Sequence, residues 1–358
     1  VTAISAETGF SVPVIELAVD HTFSELTGGY MRRLLIKDLG GEDAADDPAL
    51  PSPGRTLVIA AGSIFQPMIS SVTHALLVKS AVTVKCSAHE SRLMPIFVRI
   101  LTEINPDIGA AVDVLPATIG KEAIDFNFDA VIAYGSDESL AAIRSRLPAG
   151  ARWIGHGHKV SVAALGREVI ESDPALTAAA RALAEDIALY DQTGCLSPQC
   201  VYVETSGRRV AKRLAQELET AARRLPPGRL SSVRAAAVQS VRNEFEFRSC
   251  MDDRESCFFG EQFAYTIVTD SDPQFRPSPL YRTILVKQIP DLTDLPDHLQ
   301  PISGHLQGVA MASPNRVGPM ESRLRGMGAS YFCEPGQLQR PPLDWPNGGI
   351  PCLRGLLG

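Results

Sequence analysis

From residue 55 onward, short apolar runs alternate with longer stretches of helical spacing. Residues 56–61 carry Leu57, Val58 and Ile59 and stop at Gly62, the pattern of a short buried strand. Residues 67–79 predict a helix and 82–85 a second strand. Residues 92–105 follow as an amphipathic helix with Leu93, Ile96, Phe97, Ile100 and Leu101 on one face. Residues 110–115 predict a strand, 121–127 a short helix, 129–133 a strand and 138–147 a helix. One further strand is expected to begin at Trp153 and continue through 160–165. Strands and helices alternating at this length predict βαβ units, hence a mostly parallel sheet covered on both faces.

Upstream, residues 14–39 have helical spacing in Leu17, Phe23, Leu26, Met31 and Leu34, and the acidic, Pro-containing residues 40–54 read as a linker. Downstream, Asp173-Pro174 predicts a helix start, with Leu176, Leu183, Ile187 and Tyr190 facing inward. Residues 200–204 predict a strand and 208–224 a helix burying Val210, Leu214 and Leu218. A helix over 231–245 and strands at 264–269 and 283–287 follow. The expected layout is an N-terminal helical segment and linker (1–54), a dinucleotide-binding domain (55–165), a thiol-bearing catalytic domain (166–314) and a tail (315–358) packing back. The fold class is α/β.

Composition narrows the function. The chain has 358 residues, 34 Lys plus Arg against 41 Asp plus Glu, and a net charge of −7, with no basic run. Nucleic-acid binding is therefore not expected. No apolar stretch approaches the roughly 20 residues of a membrane helix, and residues 1–9 lack the pattern of a secretory signal. The seven cysteines are scattered and form no CxxC pair, which predicts a reducing, cytoplasmic setting and no metal site.

The segment Tyr190-Asp-Gln-Thr-Gly-Cys-Leu-Ser-Pro-Gln199 places a thiol after a helix end and a glycine, where backbone N–H groups can lower its pKa and present Cys195 as a nucleophile. The alternative is an inert buried cysteine. In Gly155-His-Gly-His-Lys159, His156 or His158 can act as a general base, or can simply bond to backbone. Val160 stands at the third glycine position, so this is no dinucleotide fingerprint, and no Walker loop is present. Lys85-Cys-Ser87 ends a strand and Tyr134-Gly-Ser-Asp-Glu138 precedes a helix. Each suits a ribose or phosphate, or is a plain strand–helix turn.

Taken in order, these stretches resemble the aldehyde dehydrogenase superfamily, and within it the LuxC-type acyl-CoA reductases. Ile59-Ala-Ala-Gly-Ser-Ile-Phe-Gln-Pro67 resembles the strand-loop facing the thiol. Ala81-Val-Thr-Val-Lys-Cys-Ser87 resembles the cofactor-ribose segment, Val131-Ile-Ala-Tyr-Gly-Ser-Asp-Glu138 the pyrophosphate turn, and Asp191-Gln-Thr-Gly-Cys-Leu-Ser-Pro-Gln199 the nucleophile loop. Pro342-Leu-Asp-Trp-Pro-Asn-Gly349 is similar to the family's C-terminal end.

The resemblance implies a Rossmann-type cofactor domain joined to an α/β catalytic domain. It also implies NADPH-dependent reduction of an acyl-CoA or carrier-bound acyl thioester to an aldehyde, by an oxidoreductase that forms a homo-oligomer. Cys195 would carry the acyl group, His156 or His158 would move protons, and Ser63 would stand where relatives place an oxyanion-binding Asn. Lys85, Ser87, His89, Gly135 and Ser136 would hold the cofactor, with His89 better suited than an acidic residue to the extra phosphate of NADPH. Aldehyde-oxidising relatives carry a water-activating Glu near residues 155–159, and its absence here agrees with reduction. The rival readings are an aldehyde dehydrogenase using NAD(P) and a non-catalytic acyl-thioester-binding paralogue.

Overall fold

The computed structural model describes residues 1–62, 64–120, 123–313 and 317–357, and the chain divides into two compact units. The first comprises Val1–Thr8, Ile15–His158 and Pro342–Gly358. The second comprises Gly9–Val14 and Lys159–Pro341.

The first unit is built on five parallel strands: β1 (Arg55–Ile59), β2 (Ala81–Lys85), β3 (Val112–Leu115), β4 (Ala130–Tyr134) and β5 (Arg152–His156). Their order across the sheet is β3-β2-β1-β4-β5. The chain moves outward from β1 in one direction, then crosses back to lay β4 on its other side. A parallel sheet therefore reverses its winding between β1 and β4, the switch point at which sheets of this class receive ligands. Leu57, Ile59, Val131 and Ala133 form the core of one face with Phe126, Phe128, Leu140 and Ile143.

The helices between these strands are Gln66–Leu77, Leu93–Ile104 and Asp137–Arg144, close to the expected positions. A five-residue helix, Pro106–Ala110, occupies the beginning of the expected 110–115 strand. Asn105 caps it by accepting from the amides of Asp107 and Ile108. The helix expected over 121–127 is not observed where the structure describes it. Residues 124–128 are irregular and send Ile124, Phe126 and Phe128 into the core, so burial there needs no helix; residues 121–122 lie outside the described residues.

The second unit has a seven-stranded sheet: β6 (Val160–Leu165), β7 (Pro198–Val203), β8 (Ser256–Phe259), β9 (Thr266–Asp270), β10 (Thr283–Gln288), β11 (Leu306–Met311) and β12 (Tyr331–Cys333). Its order is β12-β11-β6-β7-β10-β9-β8, parallel except for the antiparallel edge strand β8. The helix Gly207–Arg224 buries Val210, Leu214 and Leu218 and packs beside Asp173–Ala188, whose Leu176, Leu183 and Ile187 are buried, as their spacing predicts.

Two boundaries differ from expectation. The strand expected to run from Trp153 through 160–165 is two strands in different sheets. β5 ends by pairing with β4, and the chain turns at Gly157, where a Cβ would lie 2.2 Å from Asp137 Oδ1. β6 is buried along its whole length between β7 and β11, the environment of a central parallel strand. The expected tail at 315–358 also divides. The helix Val317–Gly326 and β12 complete the second unit, and only Pro342–Gly358 returns to the first. There Leu353 N–H donates to Asp38 Oδ2 at 2.8 Å and Lys37 Nζ meets Asp344 Oδ2 at 2.6 Å.

β11 escaped sequence reading because Gln307 and Gly308 interrupt its apolar run. Gly308 is required by close approach. A Cβ there would lie 2.8 Å from Ser161 Oγ, 2.9 Å from Leu196 Cδ2 and 3.0 Å from Leu338 Cδ2. Overpacking a tight core typically costs about 1–3 kcal/mol. Gly308→Ala is therefore expected to lower unfolding stability by that amount, read as an earlier urea midpoint at an unchanged slope.

Candidate active site

Each unit gathers candidate residues at one place. In the first, the segments after β1, β2, β4 and β5 all leave the same edge of the sheet. Gly62 follows β1 with φ +73°, a left-handed turn that favours glycine. Ser87 Oγ donates to the Gly62 carbonyl and accepts from His89 N–H at 3.2 Å, tying the β2 loop to the β1 loop. Lys85 is buried at the end of β2. Its ammonium donates to Cys86 O at 2.9 Å and Ala117 O at 3.1 Å, so much of its charge is spent fastening the loop. His89 is exposed.

After β4, Gly135 N–H donates to His156 O at 3.2 Å. Ser136 caps the helix Asp137–Arg144, its Oγ accepting from Ser139 N–H at 3.2 Å. The His156 ring stacks on Tyr134 with centroids 4.7 Å apart, and His158 N–H donates to Asp137 Oδ1 at 3.2 Å. The five expected cofactor residues and both histidines thus lie at the strand-exit edge of the first sheet, beside its switch in winding. Ser63 lies outside the described residues.

Sequence reading missed Glu90. It is 2% exposed, pairs with Ser87 through a β-bridge, and caps the next helix by accepting from Leu93 N–H at 2.9 Å. Its Oε2 has no hydrogen-bond partner among the described residues, and burial raises the carboxyl pKa above the ordinary range against the pull of the Leu93 amide. An acid directly after the 85–89 run is its only sequence signal.

In the second unit, Cys195 stands on the loop between the helix Asp173–Ala188 and β7. The helix is capped by Ser172 and stops at Ala188. Tyr190, Asp191 and Gln192 then take left-handed conformations, with φ 55°, 48° and 62°. The Cys195 carbonyl accepts from Ser161 Oγ at 2.8 Å, and the same hydroxyl accepts from Gly308 N–H at 3.0 Å, so β6 and β11 jointly pin the loop. Ser197 N–H closes a turn onto Gly194 O at 3.0 Å, and Ser197 Oγ accepts from Gln339 Nε2 at 2.9 Å. Gln339 is held in turn by Asp186, a buried carboxylate that accepts from the amides of Gly336 at 2.6 Å and Gln339 at 3.3 Å. Burial pushes the Asp186 carboxyl up to about 7.

Cys195 itself is exposed, yet protein crowds its sulfur on enough sides to strip hydration. That desolvation raises the thiol pKa to about 11. The N–H groups of Cys195 and Leu196 and the ammonium of Lys159 pull in the opposite direction without prevailing. The expected lowering by backbone amides is therefore present in kind but outweighed, and the resting sulfur is a thiol at neutral pH. Ser161, Gln192, Ser197 and Gln339 carry no nucleophile or base signature, which is why only the structure reveals their part in holding it. No grouping of His, Cys, Asp and Glu suited to a metal occurs among the described residues.

The two parallel-sheet units define an aldehyde dehydrogenase-like fold. An NAD-dependent aldehyde dehydrogenase from Sinorhizobium meliloti superposes with a TM-score of 0.65 over 92% of this chain and 69% of its own, at 15% identity. Aldehyde dehydrogenase 21 from Physcomitrella patens gives 0.60 over 93% and 80%, at 12% identity. Residues 48–357 match the acyl-CoA reductase (LuxC) family, and the chain belongs to that family.

The long-chain acyl-protein thioester reductase of Aliivibrio fischeri is 26% identical over 251 residues, 68% of this chain and 50% of the relative. The corresponding reductase 2 of Photobacterium leiognathi is 24% identical over 256 residues, covering 69% and 51%. The chain thus spans about half the length of these curated relatives in the matched region. No single helix among the described residues is long and apolar enough to cross a membrane.

A thiol with a pKa near 11 is almost wholly protonated at pH 7, and its thiolate fraction rises tenfold with each pH unit below that value. Alkylation of Cys195 by iodoacetamide, followed by peptide mass mapping, is expected to accelerate about tenfold per unit from pH 7 to 9 and to show no plateau there. Buried Cys86 and Cys200, whose thiols burial pushes up to about 12, should remain unmodified in the folded protein.

Proposed function

We propose that this protein reduces an acyl thioester to an aldehyde with NADPH, passing the acyl group through Cys195. The observation that carries the reading is the exposed thiol on a loop pinned from β6, β11 and the 336–339 segment, in a chain of the acyl-CoA reductase family. The rigid loop keeps the sulfur oriented, while its exposure lets a bulky thioester approach.

In the first half-reaction Cys195 Sγ attacks the thioester carbonyl. A general base, the part for which the sequence offers His156 and His158, takes the thiol proton and returns it to the departing thiolate, so an S–C bond forms on the enzyme as the substrate's S–C bond breaks. A base is needed because the resting thiol pKa is near 11. The Cys195 N–H serves the oxyanion of the tetrahedral stage.

The chemistry of the first unit's edge fits a dinucleotide. The sheet edge at the switch in winding receives the ligand, Gly135 and the Ser136-capped helix N-terminus suit a pyrophosphate, and Lys85 and Ser87 suit a ribose. When bound, NADPH supplies the hydride that reduces the thioacyl carbon. The oxyanion so formed on Cys195 collapses to aldehyde as the C–S bond breaks, and a proton drawn from solvent restores the departing Cys195 thiolate to the thiol. Residues 155–159 hold no carboxylate of the kind that activates water in aldehyde-oxidising relatives, which favours reduction over hydrolysis.

A second reading, NADH in place of NADPH, is favoured by one observation. The unpartnered Glu90 Oε2 beside Ser87 is an acceptor suited to a ribose hydroxyl and repels a 2′-phosphate, whereas exposed His89 suits the phosphate. The carrier of the acyl group is CoA or a protein-bound thioester of the kind the relatives' names describe.

Mixing the enzyme with a panel of long-chain acyl-CoA substrates in the absence of nucleotide, followed by acid quench and peptide mapping, is expected to trap an acyl group on Cys195. Cys195→Ala should trap none and lose aldehyde formation by at least roughly 10³-fold. Aldehyde production by that variant at the parental rate sinks the proposal, and free acid as the main product transfers it to the oxidative rival. In steady-state assays of aldehyde formation with each nucleotide, NADPH is expected to give the higher kcat/KM. A preference for NADH that Glu90→Gln reverses would establish the second reading.

A further inference from the structure

The second unit contains two successive runs of three non-glycine residues in left-handed backbone, Tyr190–Gln192 and Leu280–Arg282, with φ 55°, 48°, 62° and 66°, 55°, 58°. Large L-residues disfavour this conformation, so it persists only where surrounding bonds over-determine it. Here the runs are bonded to each other. Arg282 Nε and Nη2 reach Asp191 Oδ1 at 2.9 and 2.8 Å, and Gly228 N–H donates to Asp191 Oδ2 at 3.0 Å. Gln192 Nε2 donates to Thr283 O at 2.8 Å while Thr283 N–H donates to Gln192 Oε1 at 2.7 Å.

The remaining bonds point at the nucleophile loop. Arg282 Nη2 donates to Ala188 O at 3.1 Å, and Nη1 to Leu225 O at 2.8 Å. Ala188 is the last residue of the helix Asp173–Ala188, so a guanidinium meets an orphan carbonyl at the negative end of the helix dipole, where the chain leaves the helix. Gln192 Nε2 also donates to Pro198 O at 2.8 Å, closing the loop that holds Cys195 with a side-chain staple from its first residue to its last.

Arg282 and Gln192 are fully buried and Asp191 is 3% exposed. A buried ion pair is a poor source of stability, because well-packed apolar residues of similar volume often serve as well or better. Tight packing alone therefore leaves this pair unexplained, whereas its geometry ties the end of the helix at Ala188 to the segment before β10 and to residues 225–228.

We propose that Arg282, acting through Asp191, and Gln192 are the positioning residues of Cys195, stopping the helix at Ala188 and folding the 192–198 loop so that the Cys195 and Leu196 N–H groups bear on the sulfur. The inference rests on the reading of Cys195 as the reactive thiol, and its first readout needs no turnover.

The test compares the parent with Arg282→Met, with Asp191→Leu plus Arg282→Met, and with Gln192→Met in the full chain. Melting temperature, iodoacetamide alkylation of Cys195 at pH 8.5 and aldehyde formation are measured on each. Arg282→Met strands a buried carboxylate and should melt well below the parent. The double variant removes both charges and should recover to within about 4 °C of the parent. It should nonetheless alkylate Cys195 about tenfold more slowly, the result of a thiol pKa about one unit higher, and lose at least tenfold in kcat with little change in KM. Gln192→Met, which keeps the ion pair, should show the same alkylation defect and stands in should the double variant not fold.

A folded double or Gln192 variant that alkylates at the parental rate overturns the inference. An alkylation defect in an enzyme whose parent makes no aldehyde upholds the positioning role and removes the reductase reading instead.

Discussion

A helix has to end abruptly at Ala188, six residues before Gly194 and seven before Cys195, and the buried contact between Asp191 and Arg282 stands where it does so. Left-handed backbone at Tyr190, Asp191 and Gln192 is costly for side chains of that size, and nothing local compensates it. The compensation is tertiary: an arginine with no solvent exposure, delivered from the segment before β10, occupies the helix's last carbonyl and the aspartate together. From this corner the loop is built outward, by Gln192 onto Pro198, by Ser161 onto the Cys195 carbonyl, and by Gln339 onto Ser197. Each holds backbone or a hydroxyl and leaves the sulfur exposed.

The first unit solves a different problem with the same economy. Parallel strands point their exits one way, and a reversal of winding between β1 and β4 opens the one edge where several loops can meet without covering one another. Ser87 Oγ bound to the Gly62 carbonyl, Gly135 N–H to the His156 carbonyl, and His158 N–H to Asp137 Oδ1 tie neighbouring loops to one another, each through backbone on at least one side.

How much of this was legible beforehand follows from which interactions are periodic. Buried parallel strands announce themselves as apolar runs, and β1, β2, β4, β7, β9 and β10 lie within a few residues of where those runs predict. Cys195 and the Lys85, Gly135 and His156 segments were found because each breaks such a run with residue types that have chemistry. Sheet membership was not legible: a turn through Gly157 separates β5 from β6, and only the pairing partners tell which sheet each joins. Nor was the support of the thiol. Ser161 sits inside a strand, Gln339 in a loop far along the chain, and Arg282 ahead of an ordinary apolar run. None departs from expected usage, because their roles are set by contacts across the fold.

The least expected property of the site is the direction of its thiol pKa. A loop that aims two amides and a nearby ammonium at a sulfur would, in water, produce a reactive thiolate. Crowding by protein reverses the balance and holds the thiol near 11. Under the thioester chemistry proposed above, that reversal has a chemical use. A sulfur protonated at rest resists oxidation and stray alkylation, since both proceed through the thiolate. A thiolate of high basicity, once formed, is a strong nucleophile. The same crowding penalises any spread of negative charge near the sulfur, so the amides of Cys195 and Leu196 matter most when charge develops, during attack and collapse, and least when the sulfur is neutral. Donors fixed by buried ties, rather than recruited from solvent, cost no reorganisation at that moment. This is why a loop pinned from so many directions can afford a nucleophile that is silent until a base removes its proton.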